Sequence, residues 1–97
     1  MPIYALSTGP GVSGVAVIRL SGKGTIEVIK KISGKTLPKA RVATIRKFYK
    51  SDNKELIDEG ILIWFPGPES YTGEDMAEFH VHGSKAVVDA LHVSLSK

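Results

Sequence analysis

The chain has 97 residues, no cysteine, and 13 basic against 10 acidic residues, a net charge of +3. One domain, 1–97, fits that length, and the missing cysteines exclude disulfides, thiolate metal sites and cysteine nucleophiles. A charge excess this small does not argue for nucleic-acid binding, which takes clustered cations.

Met1-Pro2-Ile3-Tyr4 has neither a basic nor a long apolar leader, and no apolar run approaches the ~20 residues of a membrane span, so a cytoplasmic protein is expected. Ile3 to Leu6 predicts a short strand, ended by the turn-forming cluster Ser7-Thr8-Gly9-Pro10-Gly11. From Val15 to Leu20 the pattern alternates, with Val15, Val17 and Arg19 on one face and Ala16, Ile18 and Leu20 on the other, so Arg19 sits inside a strand. Thr25 to Ile32 predicts a helix whose apolar stripe is Ile26, Val28, Ile29 and Ile32, with Glu27, Lys30 and Lys31 outside and Gly34 as its stop.

Arg41 to Tyr49 and Leu56 to Phe65 read as two strands pairing antiparallel across the turn Ser51-Asp52-Asn53-Lys54. The basic residues of that stretch, Arg41, Arg46, Lys47 and Lys50, are expected on a solvated face. Asp75 to His82 alternates again, Ala77, Phe79 and Val81 opposing Met76, Glu78, His80 and His82. Ser84 then caps a helix striped with Val87, Val88, Leu91 and Leu95, which reaches Lys97 with no stop signal, as expected of a chain cut from something longer. The order strand, strand, helix, three strands, helix predicts an α+β fold, a mixed or antiparallel sheet with helices packed on one face. So small a domain buries only about 60 to 65% of its unfolded surface, which makes completion by a partner copy an expectation.

Four candidate chemical arrangements fail on inspection. Gly9-Pro10-Gly11-Val12-Ser13-Gly14 has dinucleotide-loop spacing, but that loop must open a helix and here a strand-like run follows. Ser21-Gly22-Lys23-Gly24-Thr25 would need Gly at Val17 and Ser or Thr at Gly24 to be a phosphate loop, so the chain has no visible means of binding or hydrolysing GTP. His80 and His82 share a strand face, with Glu78, yet two histidines make no zinc site; Ser70, His80 and Asp75 could be drawn as a hydrolytic triad only as any soluble domain allows. No catalytic residue and no metal ligand is assigned.

More informative is the loop Trp64-Phe65-Pro66-Gly67-Pro68-Glu69-Ser70-Tyr71-Thr72-Gly73-Glu74-Asp75. Its prolines fix φ, Gly67 and Gly73 permit positive φ, and Tyr71 offers a flat surface for a ligand ring. An ordinary rigid hairpin loop satisfies the same facts.

That loop, with Gly14-Val15-Ala16-Val17-Ile18-Arg19-Leu20-Ser21-Gly22 and Glu78-Phe79-His80-Val81-His82-Gly83, resembles the N-terminal domain of the MnmE, or TrmE, family of tRNA-modification GTPases. Three motifs stand in the right order, and the resemblance covers essentially the whole chain. It implies a domain related to the folate-binding part of the glycine-cleavage T protein, which dimerises and holds a reduced folate such as 5-formyltetrahydrofolate. It also implies a parent protein that, with a flavin-dependent partner of the MnmG or GidA type, modifies the wobble uridine of certain tRNAs. GTP, magnesium and potassium would belong to a G domain that, like the family's helical domain, folate-binding lysine segment and C-terminal Cys-x-Gly-Lys, is missing here.

Residue by residue, the resemblance makes Arg19 and Glu78 folate contacts, with Tyr71 a further candidate, and gives His80 no role. Ser84 departs from the second glycine that many members have after the His-Gly pair. Two other readings stay open: a structural dimerisation module with no working folate site, and a folate-dependent aminomethyltransferase, which needs a longer chain.

Overall fold

The computed structural model describes residues 3–6, 14–34, 36–68, 70 and 73–96. Its elements are β1 (Ile3–Leu6), β2 (Val15–Ser21), α1 (Thr25–Ser33), β3 (Thr44–Tyr49), β4 (Leu56–Phe65), β5 (Met76–His82) and α2 (Lys85–Leu95). The five strands form one sheet in the order β1-β2-β5-β4-β3, and each neighbouring pair is antiparallel, so the mixed alternative falls away.

Alternation sorts the side chains. Ala16, Ile18 and Leu20 of β2, Leu62 and Trp64 of β4, and Ala77, Phe79 and Val81 of β5 are buried against Ile29 and Ile32 of α1 and Leu91 and Leu95 of α2. Both helices therefore cover one face, as the pattern predicts. Phe48 meets Phe79 edge-on with ring centres 5.3 Å apart, a geometry that suits the quadrupoles of the two rings.

The helix ends follow local chemistry. Gly34 closes α1 in the left-handed conformation at φ 64°, its N–H donating to the Lys30 carbonyl. The Ser84 hydroxyl accepts from the Val87 N–H and starts α2.

Two strand starts differ from the sequence reading, and β2 runs one residue further, to Ser21. β3 begins at Thr44 rather than Arg41, because Arg41 takes a left-handed backbone at φ 64° and gives its N–H to the Trp64 carbonyl, outside any ladder. β5 begins at Met76, because Asp75 is committed to holding the loop before it. Gly60 explains how β4 lies so close to β5: a Cβ there would stand 2.0 Å from the His80 carbonyl oxygen, so no other residue fits without moving a strand.

Candidate functional site

The face of the sheet away from the helices carries the polar residues. Register places Arg19 of β2 directly opposite Glu78 of β5, and Val17 opposite His80. On the other side of β5, Ile63 lies opposite Glu78 and Ile61 opposite His80. A carboxylate, a guanidinium and an imidazole thus sit among branched apolar side chains.

Glu78 is the centre of this group. Its Oε2 accepts from Arg19 Nε at 2.8 Å, and its Oε1 lies 3.0 Å from His80 Nε2. The Glu78 side chain is only 13% exposed, against 47% for Arg19. Burial alone would raise its pKa, but the hydrogen bonds from His80 and Arg19 and their charges outweigh that and leave it below the usual carboxylate range. The result is a partly buried carboxylate kept ionised, with lone pairs left to accept from a ligand.

The loop beside this group is fastened by Asp75. Its carboxylate accepts from the Gly67 N–H at 3.0 Å, and its carbonyl accepts from the Gly22 N–H at 2.9 Å and from the Thr25 hydroxyl at 3.4 Å. Gly67 packs so tightly on residues 73–75 that a Cβ would lie 2.9 Å from the Glu74 carbonyl carbon. The Ser70 hydroxyl donates to the Glu74 carbonyl, closing the loop on itself. A hollow of about 470 Å³ remains between this loop and the Gly22-Lys23 turn.

The same contacts dismantle the chance triad: Ser70 is turned to Glu74, Asp75 to Gly67 and His80 to Glu78. The two histidines also part company, because His82 Nδ1 and its backbone N–H go to the Asp58 carboxylate at 2.9 and 2.8 Å. Among the described residues no group of three or more His, Cys, Asp or Glu is arranged to hold a metal ion, and no helix is long and apolar enough to cross a membrane. Gly14 is followed by β2, not by the helix that a dinucleotide loop must open, and the rest of that glycine-rich run lies outside the described residues.

A family model described as the N-terminus of the GTP-binding protein TrmE matches residues 2–97. The chain belongs to this family. Similar proteins include the tRNA modification GTPase MnmE of Pelagibacter ubique (strain HTCC1062), 69% identical over 97 residues, covering 100% of this chain and 22% of that protein. MnmE of Maricaulis maris (strain MCS10) is 50% identical over 95 residues, 98% of this chain and 22% of that protein. The mitochondrial tRNA modification GTPase gtpbp3 of Dictyostelium discoideum is 48% identical over 92 residues, 89% of this chain and 18% of that protein. The chain therefore spans about a fifth of the length of the relatives it matches.

In this TrmE N-terminal domain, Arg19 and Glu78, chosen on separate motifs 59 residues apart, are brought into contact. Tyr71 lies outside the described residues. His80, which the sequence reading left without a role, is the second holder of the Glu78 carboxylate. Its signal was present, since residues i and i+2 of a strand share a face.

Proposed function

We propose that this chain is the reduced-folate-binding and homodimerising N-terminal domain of a GTPase acting in carboxymethylaminomethyl modification of the wobble uridine (U34) of tRNA. The observation that carries the proposal is the ionised, partly buried Glu78 carboxylate held between Arg19 and His80 on the sheet face opposite α1 and α2. A carboxylate in that state suits the ring N–H and amino donors of a pterin, which present two parallel hydrogen bonds to one acceptor group. Val17, Ile61 and Ile63 offer the apolar surround a flat ring requires, and the Arg19 fork suits the carbonyl or acidic part of the ligand. The 97-residue chain itself carries out no catalysis in this reading. GTP hydrolysis and contact with an MnmG or GidA type flavoprotein are assigned to the full protein.

The test is calorimetric titration of the chain with 5-formyltetrahydrofolate, with light scattering on the same sample. Saturable binding by a dimer is expected, and Glu78→Gln is expected to weaken it at least about tenfold, because the paired acceptor becomes half donor. Equal binding by Glu78→Gln overturns the assignment of that residue. One observation favours a second reading: Val15, Ile45 and Ile61 on the uncovered face are 54%, 71% and 37% exposed, which suits a structural dimer whether or not folate binds. A dimer with no folate affinity selects it.

A further inference from the structure

Cations distant in the sequence gather at one corner of the fold. Lys30, Lys31, Ser33 and Gly34 at the end of α1, Tyr49 at the end of β3, and Lys54 in the β3–β4 turn line a hollow of about 450 Å³ with no carboxylate among the described residues of its wall. A second hollow of about 360 Å³ shares Ser33 and Tyr49 with the first and adds Arg46 and Lys47, with Glu59 its one acid. Five of the 13 basic residues and one of the 10 acidic residues line this corner, so it accounts for the positive charge of the whole chain. Of the other carboxylates nearby, Glu55 pairs with Lys50 at 3.5 Å, Asp52 accepts from the Asn53 N–H, and Glu27 stands four residues before Lys31 on α1.

Structural explanations cover part of this. The carbonyl end of α1 attracts Lys30 and Lys31. It does not explain Lys54, which adopts a left-handed backbone at φ 61° that Gly or Asn adopts more easily. Nor does it explain Tyr49: the β3–β4 register slips between Phe48 and Tyr49, and the Tyr49 ring lies against Gly34, in the wall of the hollow.

We propose that this corner, with Lys30, Lys54 and Arg46 around Tyr49, is a contact surface for the phosphate backbone of tRNA. The proposal rests on the tRNA-modification reading above and adds a site to it. Lysines act as point charges toward phosphates without reading sequence, and the half-buried Tyr49 ring among them packs on a ribose or an unstacked base. A concave cluster of five cations with Glu59 as its one described acid meets the requirement that a thin excess of charge along the chain did not.

The experiment is fluorescence anisotropy of a labelled, unmodified tRNA transcript with the 97-residue chain across a salt series, using Lys54→Gly and Lys30→Gln, alone and together. Binding is expected to weaken with salt, and each lost contact to lower the log–log slope by about 0.9. The double variant is expected to bind at least about tenfold more weakly at low salt. Lys54→Gly relieves the left-handed backbone, so its Tm is expected to hold or rise while its affinity falls, which a merely structural lysine does not do. Lys85→Ala, on the exposed start of α2 and paired with Asp89, serves as the unaffected control.

No tRNA binding, or an unchanged slope in the double variant, overturns the proposal. So does competition by polyglutamate at equal charge, which makes the surface one for acidic protein segments. Folate titration of the same variants separates the two readings: tRNA binding with the stated losses supports this site even where folate fails to bind, and folate binding without tRNA binding overturns this site alone.

Discussion

One sheet presents two faces built from alternate residues of the same strands, and they follow different rules. Under the helices, Ile18, Leu20, Leu62, Phe79 and Leu91 are fully buried. On the other face Arg19, Glu78 and His80 stand among Val17, Ile61 and Ile63. The first face determines whether the chain folds, and its requirements are volume and apolarity. The second contributes little to folding, since an ion pair with a half-exposed partner is worth about 0.2 to 1 kcal/mol, and its requirements are the identity and register of individual groups.

Substitutions can break this contrast or sharpen it. Phe79→Ala on the covered face is expected to cost about 3 to 5 kcal/mol in denaturant unfolding, through lost burial and the cavity left beside Phe48. A loss under about 1 kcal/mol would mean that the helices do not depend on this face. Gly60→Ala brings a methyl onto the His80 carbonyl and is expected to cost about 1 to 3 kcal/mol, with β4 and β5 pushed apart; amide exchange along those strands would register it.

Glu78→Gln on the other face is expected to change stability by less than about 1 kcal/mol. A larger loss would make Glu78 a structural residue first. The smallest effect is expected from Asp58, whose carboxylate accepts from the backbone and ring of His82. Burial would raise its pKa, and these bonds with that of the Glu59 backbone more than reverse it, so the folded-state pKa lies below the unfolded one. Its stabilisation is thus complete above the unfolded value and disappears as pH falls through the folded one. Asp58→Asn is expected to be slightly less stable at neutral pH and to lose less on acidification below about pH 4; an unchanged acid limb in thermal melts would remove Asp58 from that account.

The covered face was legible in the sequence because it is periodic. Alternation in Val15 to Leu20 and in Asp75 to His82, the glycine after α1 and the serine before α2 each mark structure within a few residues. The other face was legible only as a set of side chains pointing one way. Strand parity tells which face Glu78 occupies, but its neighbours Arg19 and Ile63 come from different strands, and register between strands is a tertiary property. The choice of Arg19 and Glu78 therefore depended on family motifs, while His80 and the Asp58 to His82 pair were not found. Arg41 was misplaced for a related reason: its left-handed backbone is secured by a bond to Trp64, far along the chain. The corner around Tyr49 was hidden because Lys30, Arg46 and Lys54 read separately as a helix exterior, a strand exterior and a turn.

Strand order sets the timetable on which the site appears. β1 with β2, and β3 with β4, are hairpin partners in sequence, yet β5 joins them by inserting between β2 and β4. During synthesis the two halves have no shared sheet until this late segment has left the ribosome, and its pairing with β2, from Ser21–Met76 to Val15–His82, joins the strands most distant in sequence, the slow class of contact in folding. Arg19 and Glu78 meet across that seam. The pair is thus a marker of completed assembly: a chain stalled short of β5 can hold both hairpins and still lack the Arg19–Glu78 contact.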